Sequence, residues 1–318
     1  MKKDRCRAWT LQGYQEALDN VVLPRFGKRW IGEIETQEIA DLIRELSERG
    51  LSLSTIRNYL KPLNGSLSYA VRKRLLGMNP YDALSADDWP RAPERRTYEW
   101  SDSEIDALLE AALELGSRKN AQDYYGILFG AVNTGLRLGE LLGLRWQDLE
   151  LPEEGPAVLH VRHQLSRAGS YEEPKTAKGR RRVPLSDDVA AFFKARRFAA
   201  SYPGDGFPVF CAPHGKPLTH RAVQRGGFDP ARNLAREKLG KGFTHTDGKP
   251  VTFHDLRHAF ASRAASRGVP VGVLSAILGH ANVGITQTVY VHLYGREEAE
   301  AQYREAMNGK SLATTDPE

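Results

Sequence analysis

Residues 252–268 read TFHDLRHAFASRAASRG. Leu256, Phe260 and Ala264 recur every fourth residue, which predicts a helix with one apolar stripe. That stripe leaves His254, Arg257, His258 and Ala261 on the adjoining face, so His254 and Arg257 point the same way. A histidine pair four residues apart is also the spacing of the helical metalloprotease motif, but that chemistry needs a glutamate after the first histidine and the residue here is Asp255. No metal and no other cofactor is therefore expected. Taken alone, the segment could equally be a helix start capped by its own polar groups and paired with Asp255.

The flanking sequence changes that balance. Upstream, residues 133–149 read NTGLRLGELLGLRWQDL, in which Leu138, Leu141, Leu142 and Leu144 are expected to face a core. Arg137 and Glu140 fall three apart on another face, and an arginine held by a neighbouring carboxylate is a pre-aimed anion site. Downstream, residues 268–280 read GVPVGVLSAILGH, with Pro270 near a helix start and Gly279 at its end, presenting His280 just past the stop. Residues 285–295, ITQTVYVHLYG, then place Tyr290 within a predicted helix.

The chain has 318 residues, 41% of them hydrophobic, which is more comfortable as two domains than one. Its net charge of +5 is too small to prove a nucleic-acid partner, so the distribution of charge must decide. Cys6 and Cys211 are far apart, which excludes a disulfide framework and suits a reducing cytoplasm. No apolar run is long enough for a membrane span, and the first residues lack the apolar stretch of a secretory signal.

Residues 36–49 predict a helix capped by Thr36 and stopped at Gly50. Residues 52–76 continue the helical period, with Pro62 and Gly65 expected to kink or split it and Arg72, Lys73 and Arg74 forming a basic last turn. That turn suits the negative end of a helix dipole and equally a phosphate backbone. From Ser85 to Glu99 prolines and charges interrupt any period, which predicts a linker. The boundaries expected are a helical domain over 1–88, a linker over 89–99, a second domain over 100–308 and a disordered tail over 309–318. The second domain opens on a capping box of Ser101 and Glu104. Between Ala157 and Leu185, short β-branched runs around SRAGS predict one small antiparallel sheet. This sheet carries Lys175, Lys178, Arg180, Arg181 and Arg182, the most basic surface expected in the chain. The fold class expected is mainly α with a small antiparallel β-sheet.

Together, the order Arg, Lys, His-x-x-Arg, His, Tyr resembles the catalytic signature of the tyrosine recombinases, the phage integrase family. The stretches that carry the resemblance are TGLRLGELLGLRWQDL, PKTAKGRRRVPL, HDLRHAFAS and LGHANVGITQTVYVH, and residues 51–80 are similar to the last helices of the family's SAM-like core-binding domain. The resemblance implies an N-terminal helical core-binding domain and an α+β catalytic domain. It implies that Arg137 and Arg257 clamp a scissile phosphate, that Tyr290 attacks it and that Lys175 protonates the departing 5′ oxygen. His254 would move a proton, His280 would hydrogen-bond the phosphate, Glu140 would position Arg137, and His258 would act through other residues at most. Lys178 competes with Lys175 and Tyr294 with Tyr290. A phenol with a pKa of about 10 attacks poorly, and the surrounding cations would be needed to stabilise its phenolate.

The activity implied is site-specific cutting and rejoining of double-stranded DNA through a 3′-phosphotyrosyl link and a Holliday junction. It needs neither ATP nor magnesium. A homotetramer on DNA follows, with residues 296–307 as a terminal helix that docks on a neighbouring subunit or covers its own domain, and with any directionality factor left open. Arg72, Lys73, Arg74, Lys178 and Arg180–Arg182 would touch phosphates as the two domains close on the duplex. An N-terminal arm-binding domain is not expected, since helical pattern starts near Leu11. A type IB topoisomerase shares this chemistry, and a helix-turn-helix regulator without catalysis is the reading from another class.

Overall fold

The computed structural model describes residues 8–91, 98–117, 122, 124–174, 177–280 and 282–290. The chain divides into two compact units, residues 1–95 and 96–318. Among the described residues no helix is long and apolar enough to cross a membrane.

The first unit is helical: α1 (Ala8–Ala17), α2 (Leu23–Phe26), α3 (Thr36–Glu48) and α4 (Leu53–Arg72). Its core gathers Val22, Phe26, Ile39, Ile43, Leu46, Ile56, Leu60 and Leu67. The cap of α3 is Glu35 and not Thr36: Glu35 and Glu38 form a reciprocal box, and the Thr36 hydroxyl donates to the carbonyl of Pro80 instead. Helix α4 runs unbroken through Pro62 and Gly65. Burial explains why, since Leu60, Pro62, Leu63 and Leu67 all pack inward, and this tertiary gain outweighs the missing backbone bond. The stretch expected to be linker from Ser85 begins as structure: Ser85 and Asp88 cap a short turn, and Trp89 packs edge-on against Tyr81.

The second unit begins with Tyr98 and Trp100 packed on its core. Ser101 accepts from the Glu104 backbone N–H, and the Glu104 carboxylate accepts from the Ser101 N–H, fixing the start of α5 (Asp102–Gly116). Helix α6 (Tyr125–Thr134) is almost wholly buried and ends at Gly135, whose left-handed φ of 65° turns the chain into α7 (Leu138–Leu142). The β region forms two sheets where one was expected. Strands β1 (Leu149–Glu150), β2 (Val158–Val161) and β5 (Arg181–Pro184) make an antiparallel sheet in the order β1-β2-β5, and β3 (Gln164–Leu165) with β4 (Tyr171–Glu172) makes a separate ribbon around SRAGS. Helices α8 (Asp187–Phe198), α9 (His220–Ala222) and α10 (Asp229–Leu239) follow, with α10 packed along α5.

The last described segment is α11 (Asp255–Ser266), α12 (Val271–Leu278) and α13 (Val283–Tyr290), broken at Gly268 and Gly279, both at positive φ. The apolar face of α11 is wider than the predicted stripe. Leu256, Ala259, Ala261 and Ala265 are buried, whereas Phe260 and Ala264 are only half-buried. Helix α11 lies across α6, and Ala261, Ala265, Leu274, Leu278 and Tyr290 form a small core of their own among α11, α12 and α13.

A Cβ at Gly135 would lie 2.4 Å from the Phe260 ring. Gly135→Ala is expected to destabilise the chain by about 1–2 kcal/mol through the left-handed backbone alone, with displacement of Phe260 adding to it. A lower urea midpoint at unchanged slope is the measurement.

Candidate active site

Arg137 stands at the junction that Gly135 creates, with extended backbone just before α7. Its guanidinium Nη1 donates to Glu140 Oε1 at 2.9 Å, and its backbone N–H donates to Oε2 at 2.9 Å. The i, i+3 spacing read from sequence is therefore an ion pair, with Glu140 only 3% exposed and Arg137 40% open to solvent.

Arg181 completes this arrangement. Its Nη1 and Nη2 donate to both Glu140 oxygens at 3.0 and 2.8 Å, and its Nε donates to the carbonyl of Ile277. Its side chain is 5% exposed. The sequence expectation that Arg181 touches DNA phosphate is corrected here: the residue is a buried partner of Glu140. Strand alternation holds the reason, because Val183 faces the core and Arg181, two residues away, must share that face. Gly279 leaves the room, since a Cβ there would crowd the Arg181 side chain at 3.0 Å. Burial raises the Glu140 pKa, but hydrogen bonding and charge from Arg181, helped by Arg137, outweigh it and hold the carboxyl down at about 2.

Arg257, 3% exposed, reaches from α11 to two backbone carbonyls: Nη1 donates to Gly135 O at 2.8 Å and Nη2 to Leu278 O. Each Nη carries a second hydrogen, so an anion can still be met. Burial, then the charge of Arg137, lowers its pKa to about 9, which leaves it cationic at neutral pH. Arg181 and Arg257 thus hold consecutive carbonyls at the end of α12. There Gly279 adopts φ 67° and the His280 N–H donates back to Ser275 O, closing the helix as a Schellman turn and presenting His280. His280 Nδ1 bonds the buried Thr286 hydroxyl at 2.8 Å, which leaves Nε2 for another group.

His254 precedes α11 and stands edge-on to His258, with ring centroids 5.3 Å apart. His258 Nδ1 lies 2.6 Å from the Tyr290 hydroxyl. The sequence had placed His258 at a distance from the chemistry, whereas it is the hydrogen-bond partner of the phenol. Tyr290 itself is 2% exposed. Its pKa is pushed up to about 12 by burial, while Arg257 pulls it the other way, in the direction expected of a neighbouring cation. His254, exposed just ahead of α11, and the half-buried His280 are each pushed down to about 4, by desolvation first and then by neighbouring cationic groups. His258 is lowered by burial as well, Asp255 partly opposing.

These residues make one cluster: Arg137, Glu140, Arg181 and Tyr290 all act electrostatically on Arg257, and Arg137, Arg257 and His258 on His280. Lys175, Tyr294 and residues 296–307 lie outside the described residues. Lys178 and Arg182 are exposed, as is Arg180, which pairs with Glu173, and Arg72, Lys73 and Arg74 are exposed on the first unit. Arg182, on β5 with Arg181, points to the opposite face. Sequence reasoning missed Arg181 as a site residue and Thr286 altogether.

Two predictions follow from this electrostatics. Arg181→Ala leaves Glu140 buried beside a single guanidinium and is expected to cost about 3–5 kcal/mol, nearer the lower figure because Arg137 remains; urea unfolding reads it. Histidines whose folded pKa is lowered stay neutral in the native state while the unfolded chain takes up protons from about 6.5 downward. The stability they carry is present above that value and is lost as pH falls towards about 4. Melting temperature is expected to drop steadily over that interval, and a flat profile would contradict the lowered values of these two histidines.

Comparison with known proteins agrees with the geometry. The transposase of transposon Tn916 from Enterococcus faecalis is 28% identical over 304 residues, covering 92% of this chain and 71% of that protein. Tyrosine recombinase XerC of Bacillus pumilus is 27% identical over 293 residues, covering 90% of this chain and 86% of its own length. The integrase of transposon Tn1549, solved in complex with circular intermediate DNA, superposes with a TM-score of 0.73 at 25% identity over 96% of both chains. Residues 100–297 match the family model of the phage integrase family. The chain therefore belongs to the phage integrase family and is a tyrosine-type site-specific recombinase.

Proposed function

We propose that this chain cuts and rejoins double-stranded DNA at specific sites by attack of Tyr290 on a phosphate held between Arg137 and Arg257. The observation that carries this reading is one electrostatic cluster: Arg137 is paired with the buried Glu140, Arg257 feels the charges of Arg137, Glu140 and Tyr290, and His280 feels those of Arg137 and Arg257. A phosphodiester under attack gains negative charge on its non-bridging oxygens, and preorganised guanidiniums meet that charge without a metal ion. Glu140 and Arg181 aim Arg137 at it, and His280 Nε2 donates to a third position. His254 stands ready to move a proton, and Lys175 is assigned to the 5′ oxygen.

The bond energy of the cleaved strand is kept in a 3′-phosphotyrosyl link, so a 5′ hydroxyl from a second duplex reseals it by the reverse step, through a Holliday junction. Exchange of four strands calls for four copies of the site, hence a homotetramer on DNA, in the cytoplasm. The N-terminal unit serves as the core-binding domain, with Arg72, Lys73 and Arg74 on phosphates, joined by Lys178, Arg180 and Arg182 of the catalytic unit. DNA-bound structures of relatives support the partner.

The test is a nicked suicide duplex made from the DNA that flanks the gene. The wild-type chain is expected to form a covalent adduct whose peptide maps to Tyr290. Tyr290→Phe is expected to abolish it with DNA affinity kept, and Arg137→Ala to slow it by about a hundredfold or more. An adduct that survives in Tyr290→Phe moves the role to Tyr294. Adducts at loosely specified sequences point to a topoisomerase, and none at all to a non-catalytic DNA-binding protein.

A further inference from the structure

The proposed reaction needs a place for the phenol proton, and the hydrogen bond that the phenol makes is to His258 and not to the signature histidine His254. We infer that His258 is the proton acceptor of Tyr290, a catalytic residue alongside the arginines. The inference rests on the reading that Tyr290 is the nucleophile.

Geometry carries it. His258 Nδ1 lies 2.6 Å from the Tyr290 hydroxyl, and among the described residues no other hydrogen bond to that oxygen is found. His254, the signature histidine, stands edge-on to the His258 ring, and among the described residues no hydrogen bond from it to the phenol is found. Both partners are held by their surroundings: His258 by α11, and Tyr290 by Leu274, Leu278, Ala261 and Ala265. The donor–acceptor pair therefore exists before DNA arrives.

The charges facing His258 pull in both directions. On its own helix Asp255 favours the imidazolium and Arg257 opposes it, and His245 from the preceding loop opposes it as well. His254 and Tyr290 stand against its ring, and His280 is within its electrostatic reach. Burial keeps the ring neutral at rest, so Nδ1 has a free lone pair when the other ring nitrogen carries the hydrogen. Asp255, itself held by the Thr252 N–H and hydroxyl, then balances the positive charge that forms.

The step balances as follows. The Tyr290 O–H bond breaks, its proton passes to His258 Nδ1 and its electron pair stays on oxygen. That oxygen forms a bond to phosphorus as the bond from phosphorus to the 5′ oxygen breaks, and the departing oxygen takes one proton from the ammonium of Lys175. On resealing, His258 returns its proton to the phenol and the lysine recovers its own.

Two measurements test the inference. In the free chain labelled with ¹⁵N-histidine, with His258→Asn used to assign the signal, His258 is expected to carry its hydrogen on Nε2 and none on Nδ1 at pH 7.5; a hydrogen fixed on Nδ1 overturns the inference without any DNA. With the nicked suicide duplex from the flanking DNA, His258→Asn keeps a polar group beside the phenol but cannot take up a proton. It is expected to slow adduct formation by about 10²–10⁴-fold at neutral pH, with the rate recovering as pH rises towards 9 because hydroxide substitutes for the missing base. A rate within threefold of wild type, or a pH profile parallel to wild type, shows that the bond only holds the ring and overturns the inference. Because the wild-type adduct is mapped to its tyrosine in the same experiment, failure of His258 is distinguished from failure of Tyr290 as nucleophile.

Discussion

The arrangement around Glu140 governs the rest of the catalytic unit. A carboxylate removed from water is costly unless charge and hydrogen bonds surround it, and here both oxygens are filled by Arg181, Arg137 and a backbone N–H. The same contacts join parts of the chain far apart in sequence: α7 through Glu140, β5 through Arg181 and the last turn of α12 through Ile277. Arg257 repeats the device one residue further on, taking the carbonyl of Leu278. The negative end of α12 is thereby held by two cations, which suits the dipole of that helix and fixes the turn from which His280 projects.

The site divides its labour between two kinds of basic group. Guanidiniums remain charged even when buried, so they are suited to meet an anion. The imidazoles are kept neutral by their surroundings, so they can take or pass protons without adding repulsion to an already cationic pocket. This separation follows from intrinsic basicity: a group near pKa 6.5 loses its charge on desolvation, and one above 12 does not.

Much of this was legible in the chain, and the parts that were share a local cause. Ser101 with Glu104, Gly135 after α6, Arg137 with Glu140, and the breaks at Gly268 and Gly279 are signals carried within four residues. What stayed hidden depended on contacts between distant segments. Arg181 looked like its neighbours Arg180 and Arg182 because only the position of Val183 against the core tells inward from outward. Pro62 was read as a break because its burial, which holds α4 together, is a tertiary fact. The helical wheel gave the direction of His258 but could not say that a later helix brings Tyr290 to it. Helices α8 and α10 went unread, since residues 186–250 mix charges and glycines with little clear period.

Tyr290 is also a packing residue, its ring plugging the small apolar nest formed by three short helices. Loss of the ring would therefore empty a cavity among α11, α12 and α13, whereas loss of the hydroxyl alone would leave that packing in place.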